Sequence, residues 1–328
     1  MKRAHLHSYI RLLVRRGIQS VFLILLLIAI NFTLIHLAPG DPVHLLAGQS
    51  GDERYYEFIR SKFGLDKPLG DQLWIYLSSA LLGDLGYSLN YQQPVSAVVF
   101  SRIPATLLLM TSALVISCIA GVFLGVEAAR RRERFPDHAI NFFAVLSYSI
   151  PGFCIGQILL IVFSLQLGLF PAQGMTSAHQ GSGLLAGWLD VLSHLALPAA
   201  TLALVQMALI TRLTRTEMLS VLGEDYITTA RAKGLRERRV VYGHALRSAL
   251  LPIVTIVGND IGVMLSGAVL IETVFAWPGL GRLMIDSIAM RDYPVLMGLF
   301  LLVSIGVVIA NFVTDLAYGM LDPRISHR

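Results

Sequence analysis

The sequence is short of charge, short of cysteine, and empty of the brief motifs that mark common enzymes. Only 14% of its 328 residues are Asp, Glu, Lys or Arg, against about 25% in a soluble domain. A chain so poor in charge cannot clothe itself in a solvated surface, and 55% of it is hydrophobic. Its two cysteines, Cys118 and Cys154, sit inside apolar blocks, where a thiol packs as a small polarizable side chain and a disulfide has no evident use. No GxxxxGK[ST] phosphate cradle is present, so the chain cannot hold nucleotide phosphates in the P-loop manner. The nine histidines include no HxxxH or HExxH pair, which removes the helix-face geometry of a resident metal site. The net charge of +5 comes without a basic stretch interleaved with aromatics outside the apolar blocks, and nucleic acid is not implied.

What is present is apolar sequence in long blocks. Six of them read as membrane spans: Ile18 to Leu37, Ile103 to Ala129, Ala139 to Leu167, Leu192 to Leu213, Leu251 to Phe275 and Pro294 to Met320. A helix needs about 20 such residues to cross a hydrocarbon core, so the expected fold is an all-α polytopic membrane protein with six transmembrane helices. The second and third blocks exceed that length and must tilt, kink or emerge; Pro151 and Gly152 mark an interruption in the third. The expected organisation is a tail over 1–17, a first span over 18–37, an outer loop region over 38–102, a core of five spans over 103–320 containing a loop at 214–250, and a second tail over 321–328. The first block is longer than the apolar region of a signal peptide and is expected to be retained.

Lys and Arg between the spans set the orientation. Five lie before the first block, four at 130–134, eight from Arg212 to Arg247, and two in the last residues, leaving seven for the other side. The positive-inside rule then predicts that both termini are cytoplasmic. The outer region is punctuated by Pro and Gly, with a helical pattern from Glu53 to Phe63, and reads as folded. Gly48-Gln49-Ser50-Gly51 spells the GxSG of intramembrane serine proteases, but it lies in a polar stretch before Asp52 and Glu53 and reads as a turn.

Inside the blocks, Gly121 and Gly125, and Gly152 and Gly156, form GxxxG pairs. Packing within one subunit is favoured over a dimerisation face, because six spans offer many internal contacts. Asn259, Asp260, Asn311 and Asp315 are polar groups at membrane depth and must face protein or water. Asp260 admits a pore-lining role and a structural one equally. The loop 214–250 carries helix formers from Glu217 to Lys233, a natural C-cap at Gly234, and a second helical stretch from Glu237 to Ser248 before Leu251-Pro252. Two short surface helices are expected. Thr228, Thr229, Ala230 and Ala232 leave little bulk at the first helix end, so a groove of another protein could receive it. Arg231, Lys233, Arg236, Arg238 and Arg239 suit either such docking or anionic lipid.

The stretch Asp225-Tyr226-Ile227-Thr228-Thr229-Ala230-Arg231-Ala232-Lys233-Gly234-Leu235, with His244-Ala245-Leu246-Arg247 and Leu250-Leu251-Pro252, closely resembles the coupling loop of binding-protein-dependent ABC importer permeases. More narrowly, the chain resembles the first permease of the dipeptide, oligopeptide and nickel group. The likeness extends through Pro39-Gly40-Asp41-Pro42, Gly83-Asp84-Leu85-Gly86-Tyr87-Ser88, Arg102-Ile103-Pro104-Ala105-Thr106-Leu107, Glu272-Thr273-Val274-Phe275-Ala276-Trp277-Pro278-Gly279, Asp292-Tyr293-Pro294 and Leu321-Asp322-Pro323-Arg324. The resemblance implies a non-catalytic subunit of a bacterial inner membrane importer. Its implied partners are a second similar permease, two cytoplasmic ATPase subunits that bind the ATP and magnesium, an extracytoplasmic solute-binding protein and the surrounding lipid. It implies no cofactor or metal on this chain, with Asp225, Thr228, Thr229, Ala230, Ala232, Gly234 and Leu235 in the ATPase-coupling loop, and Asn259 and Asp260 as candidate pore-lining residues. The implied cargo is di- and oligopeptides, with nickel or its chelates, glutathione and other small solutes as alternatives. An intramembrane hydrolase using Ser50 and a secondary transporter without an ATPase are the competing readings.

Overall fold

The structure is a computed structural model of the chain, described over residues 17–30, 32–33, 43, 52–63, 67–177 and 183–321. In chain order its helices are α1 (Gly17–Ile30), α2 (Glu53–Phe63), α3 (Leu69–Leu81), α4 (Val95–Arg130), α5 (Phe135–Ser149), α6 (Gly152–Leu159), α7 (Leu184–Leu222), α8 (Asp225–Ala232), α9 (Glu237–Arg239), α10 (Leu246–Val274), α11 (Leu280–Ala289) and α12 (Tyr293–Leu321). Wider π-helical turns, Leu160–Gln166 and Val240–Ala245, continue α6 and lead into α10. The described strands are β1 (Tyr87–Ser88) and β2 (Gln93–Pro94), an antiparallel pair with Tyr87 opposite Pro94. Helices dominate because hydrocarbon offers no partner to a backbone N–H or C=O, and a helix satisfies both internally.

Among the described residues three helices are long and apolar enough to cross a membrane, or four when the bent pair of α5 with α6 and its π turn is counted as one span. The interruption expected at Pro151-Gly152 is a bend of 104°. Pro151 cannot donate the N–H a continuous helix would need, and Ile150 turns extended before it, at φ −87° and ψ 130°.

Three boundaries differ from the sequence expectation. Helix α4 begins at Val95, eight residues before the predicted Ile103. Val95, Val98 and Val99 repeat at helical spacing and are buried, while the ring of Pro104 is exposed, so the proline sits within the helix. Helix α7 runs on to Leu222 instead of ending near Leu213. The second stretch of the predicted loop does not stand apart either, since the π turn Val240–Ala245 passes directly into α10 and Pro252 lies inside that helix. The tetrapeptide Gly48–Gly51 and the tail 321–328 beyond Leu321 lie outside the described residues, as do the side chains of Asn311 and Asp315.

The chain divides into two compact units, residues 1–104 with 279–328, and residues 105–278. In the first unit, Val95, Val98 and Val99 pack with Leu280 and Leu283 of α11 and Val295 and Leu299 of α12. Buried Asp292 accepts hydrogen bonds from Ser88 Oγ at 2.5 Å, Asn90 Nδ2 at 3.1 Å and the Val295 N–H at 3.3 Å. It thus caps α12 and ties the hairpin to it. In the second unit, Trp277 is fully buried and its indole N–H donates to the Ala105 carbonyl at 2.8 Å, while Thr106 Oγ1 donates to buried Glu272 at 2.6 Å.

Both GxxxG pairs are internal contacts, as favoured from the sequence. A Cβ at Gly125 would stand 2.5 Å from Thr214 Cβ and 2.7 Å from the Thr211 carbonyl oxygen, and one at Gly121 would stand 2.8 Å from Ile210 Cγ2. Gly152 and Gly156 face Val205 and Thr201 of α7. Gly125→Ala is therefore expected to force α4 from α7 against a backbone atom, costing about 1–3 kcal/mol, whereas Gly306→Ala, which meets open space, is expected to leave stability unchanged or raised. Thermal unfolding of the two purified variants in one detergent checks this; equal midpoints would disprove the close approach.

Candidate functional site

The segment 214–250 forms one packed end of the second unit. Met218 on α7, Ile227 on α8, Val240 and Val241 in the π turn, Ala245, and Ala249 on α10 are buried together with Val126 and Ala129 of α4. Helix α8 is only eight residues long, far below the length at which an isolated helix holds in water. Its order comes from this apolar seat. Ile227 and Ala230, three apart, form its inner face. Asp225, Tyr226, Thr228, Thr229, Arg231 and Ala232 face outward.

Polar bonds frame the seat. A turn at Gly223-Glu224, with Glu224 extended at φ −75° and ψ 149°, redirects the chain from α7 into α8. The far end closes in a Schellman motif: the Gly234 N–H donates to the Arg231 carbonyl at 2.9 Å and the Leu235 N–H to the Ala230 carbonyl at 3.4 Å. Gly234 is left-handed at φ +77° with nothing near its missing Cβ, so glycine is required there by backbone conformation and not by space. Leu235 folds back on the apolar cluster. Across the turn Arg231 grips Glu237 through both Nε (3.2 Å) and Nη2 (2.9 Å). Tyr226 Oη donates to Ser248 Oγ at 3.0 Å, fastening α8 to the start of α10.

The residues predicted for this loop are thus brought together, but they do not share one face. Asp225, Thr228, Thr229 and Ala232 are exposed, with Thr229 Oγ1 returned to the Asp225 carbonyl at 2.9 Å. Ala230 is on the opposite face, packed into the chain's own core, so its small size serves the fit of α8 to α4 and α7. Leu235 and Gly234 shape the cap. Asn259 and Asp260 lie on α10, and their side chains fall outside the described residues.

One pair of residues at this end escaped the sequence reading. Asp137, buried in the first turn of α5, accepts from Arg215 of α7 in bidentate fashion, Nε at 2.6 Å and Nη2 at 2.8 Å. The Glu133 N–H and Asn141 Nδ2 complete its shell at 2.9 and 2.7 Å. The two residues are 78 apart in the chain, and nothing in the local pattern pairs them. Among the described residues no group of three or more His, Cys, Asp or Glu could hold a metal ion.

Comparison with known proteins agrees with this architecture. Residues 121–327 match the family described as binding-protein-dependent transport system inner membrane component, and residues 9–110 match the N-terminal domain of such membrane components. The chain is 40% identical to the glutathione transport system permease protein GsiC of Escherichia coli O6:H1, over 95% of this chain and 96% of that protein. It is likewise 40% identical to the dipeptide transport system permease protein DppB of Escherichia coli K12, over 91% and 94%. In fold it is similar to a chain of the MetNI methionine ABC transporter in an inward-facing conformation, with TM-score 0.54 and 16% identity, covering 70% of this chain and 97% of that one.

Two outcomes follow from the cap. Gly234→Ala should cost about 1–2 kcal/mol of local stability through its left-handed backbone alone, read as faster amide exchange at Gly234 and Leu235 with the rest of the chain unaffected. The Arg231 guanidinium hydrogen-bonded to it holds the Glu237 carboxyl below its ordinary value. A depressed carboxylate stabilises fully above the ordinary value, about 4.3, and loses that contribution as pH falls through the folded value. Glu237→Gln should therefore loosen the 231–237 turn slightly at pH 7, since both partners are half exposed, and make no difference in strong acid. Amide exchange compared at the two pH values checks the sign.

Proposed function

The chain belongs to the family of binding-protein-dependent transport system inner membrane components, and from that premise we propose that it is a permease subunit of an ATP-driven importer of short peptides. The observation that carries this reading is helix α8, an eight-residue element seated by Ile227 and Ala230 and presenting Thr228, Thr229 and Ala232 outward. A helix end with so little side-chain bulk suits insertion into a groove of another protein. In this reading the groove belongs to a cytoplasmic ATPase, one for this chain and one for a second, similar permease that completes the pore. Closure of the two ATPases on nucleotide moves α8 and its seat, and the spans exchange inward-open and outward-open states.

Both termini and the 214–250 segment then lie on the cytoplasmic side of a bacterial inner membrane, as the distribution of Lys and Arg supports. Covalent chemistry stays on the ATPases, which hold ATP and magnesium; this chain works by change of shape. A solute-binding protein delivers cargo from the opposite side, and Asn259 and Asp260 line the path it takes. Short peptides fit because relatives of equal similarity are named for dipeptide and for glutathione, which share a small peptide-like backbone. Nickel and its chelates are the less favoured cargo.

The test is substitution on the two faces of α8. Thr228→Arg with Ala232→Arg, on the outer face, should abolish recovery of ATPase subunits with the affinity-purified permease and abolish ATP-dependent peptide uptake by vesicles, leaving membrane insertion intact. Ala230→Leu should act differently, unseating α8 and lowering the unfolding midpoint. Full ATPase recovery and uptake in the outer-face variant would sink the docking assignment.

A further inference from the structure

The ion pair between buried Asp137 and half-buried Arg215 has no place in a purely apolar account of this unit. Taking a carboxylate out of water is costly, and a pair of this kind commonly stabilises less than well-packed hydrophobic residues of the same size, so stability alone does not account for it. What it does supply is a directional link. Asp137 takes four hydrogen bonds, two from Arg215, one from the Glu133 N–H and one from Asn141 Nδ2. Glu133 is held in the left-handed region at φ 62° to make its share. The carboxylate is therefore welded at once to the turn before α5, to α5 itself and to α7.

Three features of the surroundings give that link mechanical meaning. Arg215 precedes Met218 by one turn on α7, and Met218 is fully buried beneath Ile227 and Ala230 of α8, so the link and the seat of α8 ride on one stretch of helix. Beyond Asp137, α5 continues to pack along α7, with Ala144 buried. A crevice of about 340 Å³, lined by Leu124 of α4, Ala139, Phe143 and Ala144 of α5, and Ala208 and Thr211 of α7 among others, opens where the three helices meet. At its far end α5 stops at the 104° bend before Pro151. Helix α5 is thus a short rod that packs along α7, pinned to it by a polar bond at one end and jointed at the other, with a crevice alongside its middle.

We propose that the Asp137–Arg215 pair transmits movement of α8 to helix α5, making both residues positioning residues for the coupling of ATP hydrolysis to transport. A displacement of α8 shifts the end of α7 that carries Met218 and Arg215. The bidentate grip drags the start of α5 with it, and α5 pivots about the bend at Ile150-Pro151 into the crevice. Apolar contact alone would let α5 slide. This rests on the importer reading given above.

The decisive variant is Asp137→Asn combined with Arg215→Met. It keeps an acceptor for the Glu133 N–H and the aliphatic bulk of the arginine stem, and it leaves no uncompensated buried charge. The complete importer, with its partner permease, ATPases and binding protein, is reconstituted in vesicles, and ATP hydrolysed per labelled dipeptide imported is measured for wild type, the double variant and Arg215→Lys. We expect the double variant to assemble with an unfolding midpoint close to wild type and to consume at least five times more ATP per dipeptide. Arg215→Lys, which keeps the charge without the bidentate grip, should fall between. A wild-type ratio in the assembled double variant would overturn the proposal, as would a double variant that fails to assemble, since the pair would then be a folding requirement. If wild-type vesicles show no ATP-driven import at all, the importer reading falls together with this one; ATP-driven wild-type import with an unchanged variant ratio overturns the link alone.

Discussion

Close approach of α4 and α7 organises the second unit. Where Gly121 and Gly125 meet Ile210, Thr211 and Thr214, the two backbones come nearer than any Cβ would permit. In lipid there is no hydrophobic drive to bring helices together, because the tails outside are as apolar as the side chains inside. Association relies on dispersion across small residues, and glycine gives the shortest distance over which it acts. One turn further along, the same contact carries Val126 and Ala129 against Met218, and these form the floor on which α8 rests. Without that approach the eight-residue helix has no surface to bury Ile227 against.

The buried carboxylates obey a second constraint. Charge removed from water demands partners, and each described one has them. Asp292 gathers a serine, an asparagine and the first turn of α12; Asp137 gathers an arginine, an asparagine and a backbone N–H; Glu272 is met by Thr106. In every case the acceptor and at least one donor come from different helices or from a hairpin and a helix, so the polar bond fixes register where apolar contact would tolerate sliding.

Much of this was legible in the chain itself. Apolar blocks of twenty residues and more located the long helices, and proline followed by glycine located the break before Gly152. The glycine at 234, preceded by small and basic residues, located the end of α8. Misread boundaries share one cause. Helix α7 overruns its apolar block to Leu222, and α4 starts at Val95, because helices continue wherever one face finds a neighbour, even after overall hydrophobicity has dropped. Ala230 was read by its size as a surface suited to a partner, but size alone does not say which way a residue points. Its spacing of three from Ile227 is the signal that could have placed it inside.

By itself the sequence determined class and membership: a predominantly helical membrane chain of the binding-protein-dependent importer permeases, without a nucleotide cradle of the P-loop type. Those properties are local or cumulative, set by hydropathy, by motif and by the cost of burying charge. Tertiary structure alone decided which face of α8 is free, that the loop's second stretch is the beginning of α10, and that Asp137 meets Arg215. These depend on residues 22 to 78 positions apart in the chain arriving within hydrogen-bond reach. No local periodicity encodes such a meeting, because packing of whole helices brings it about.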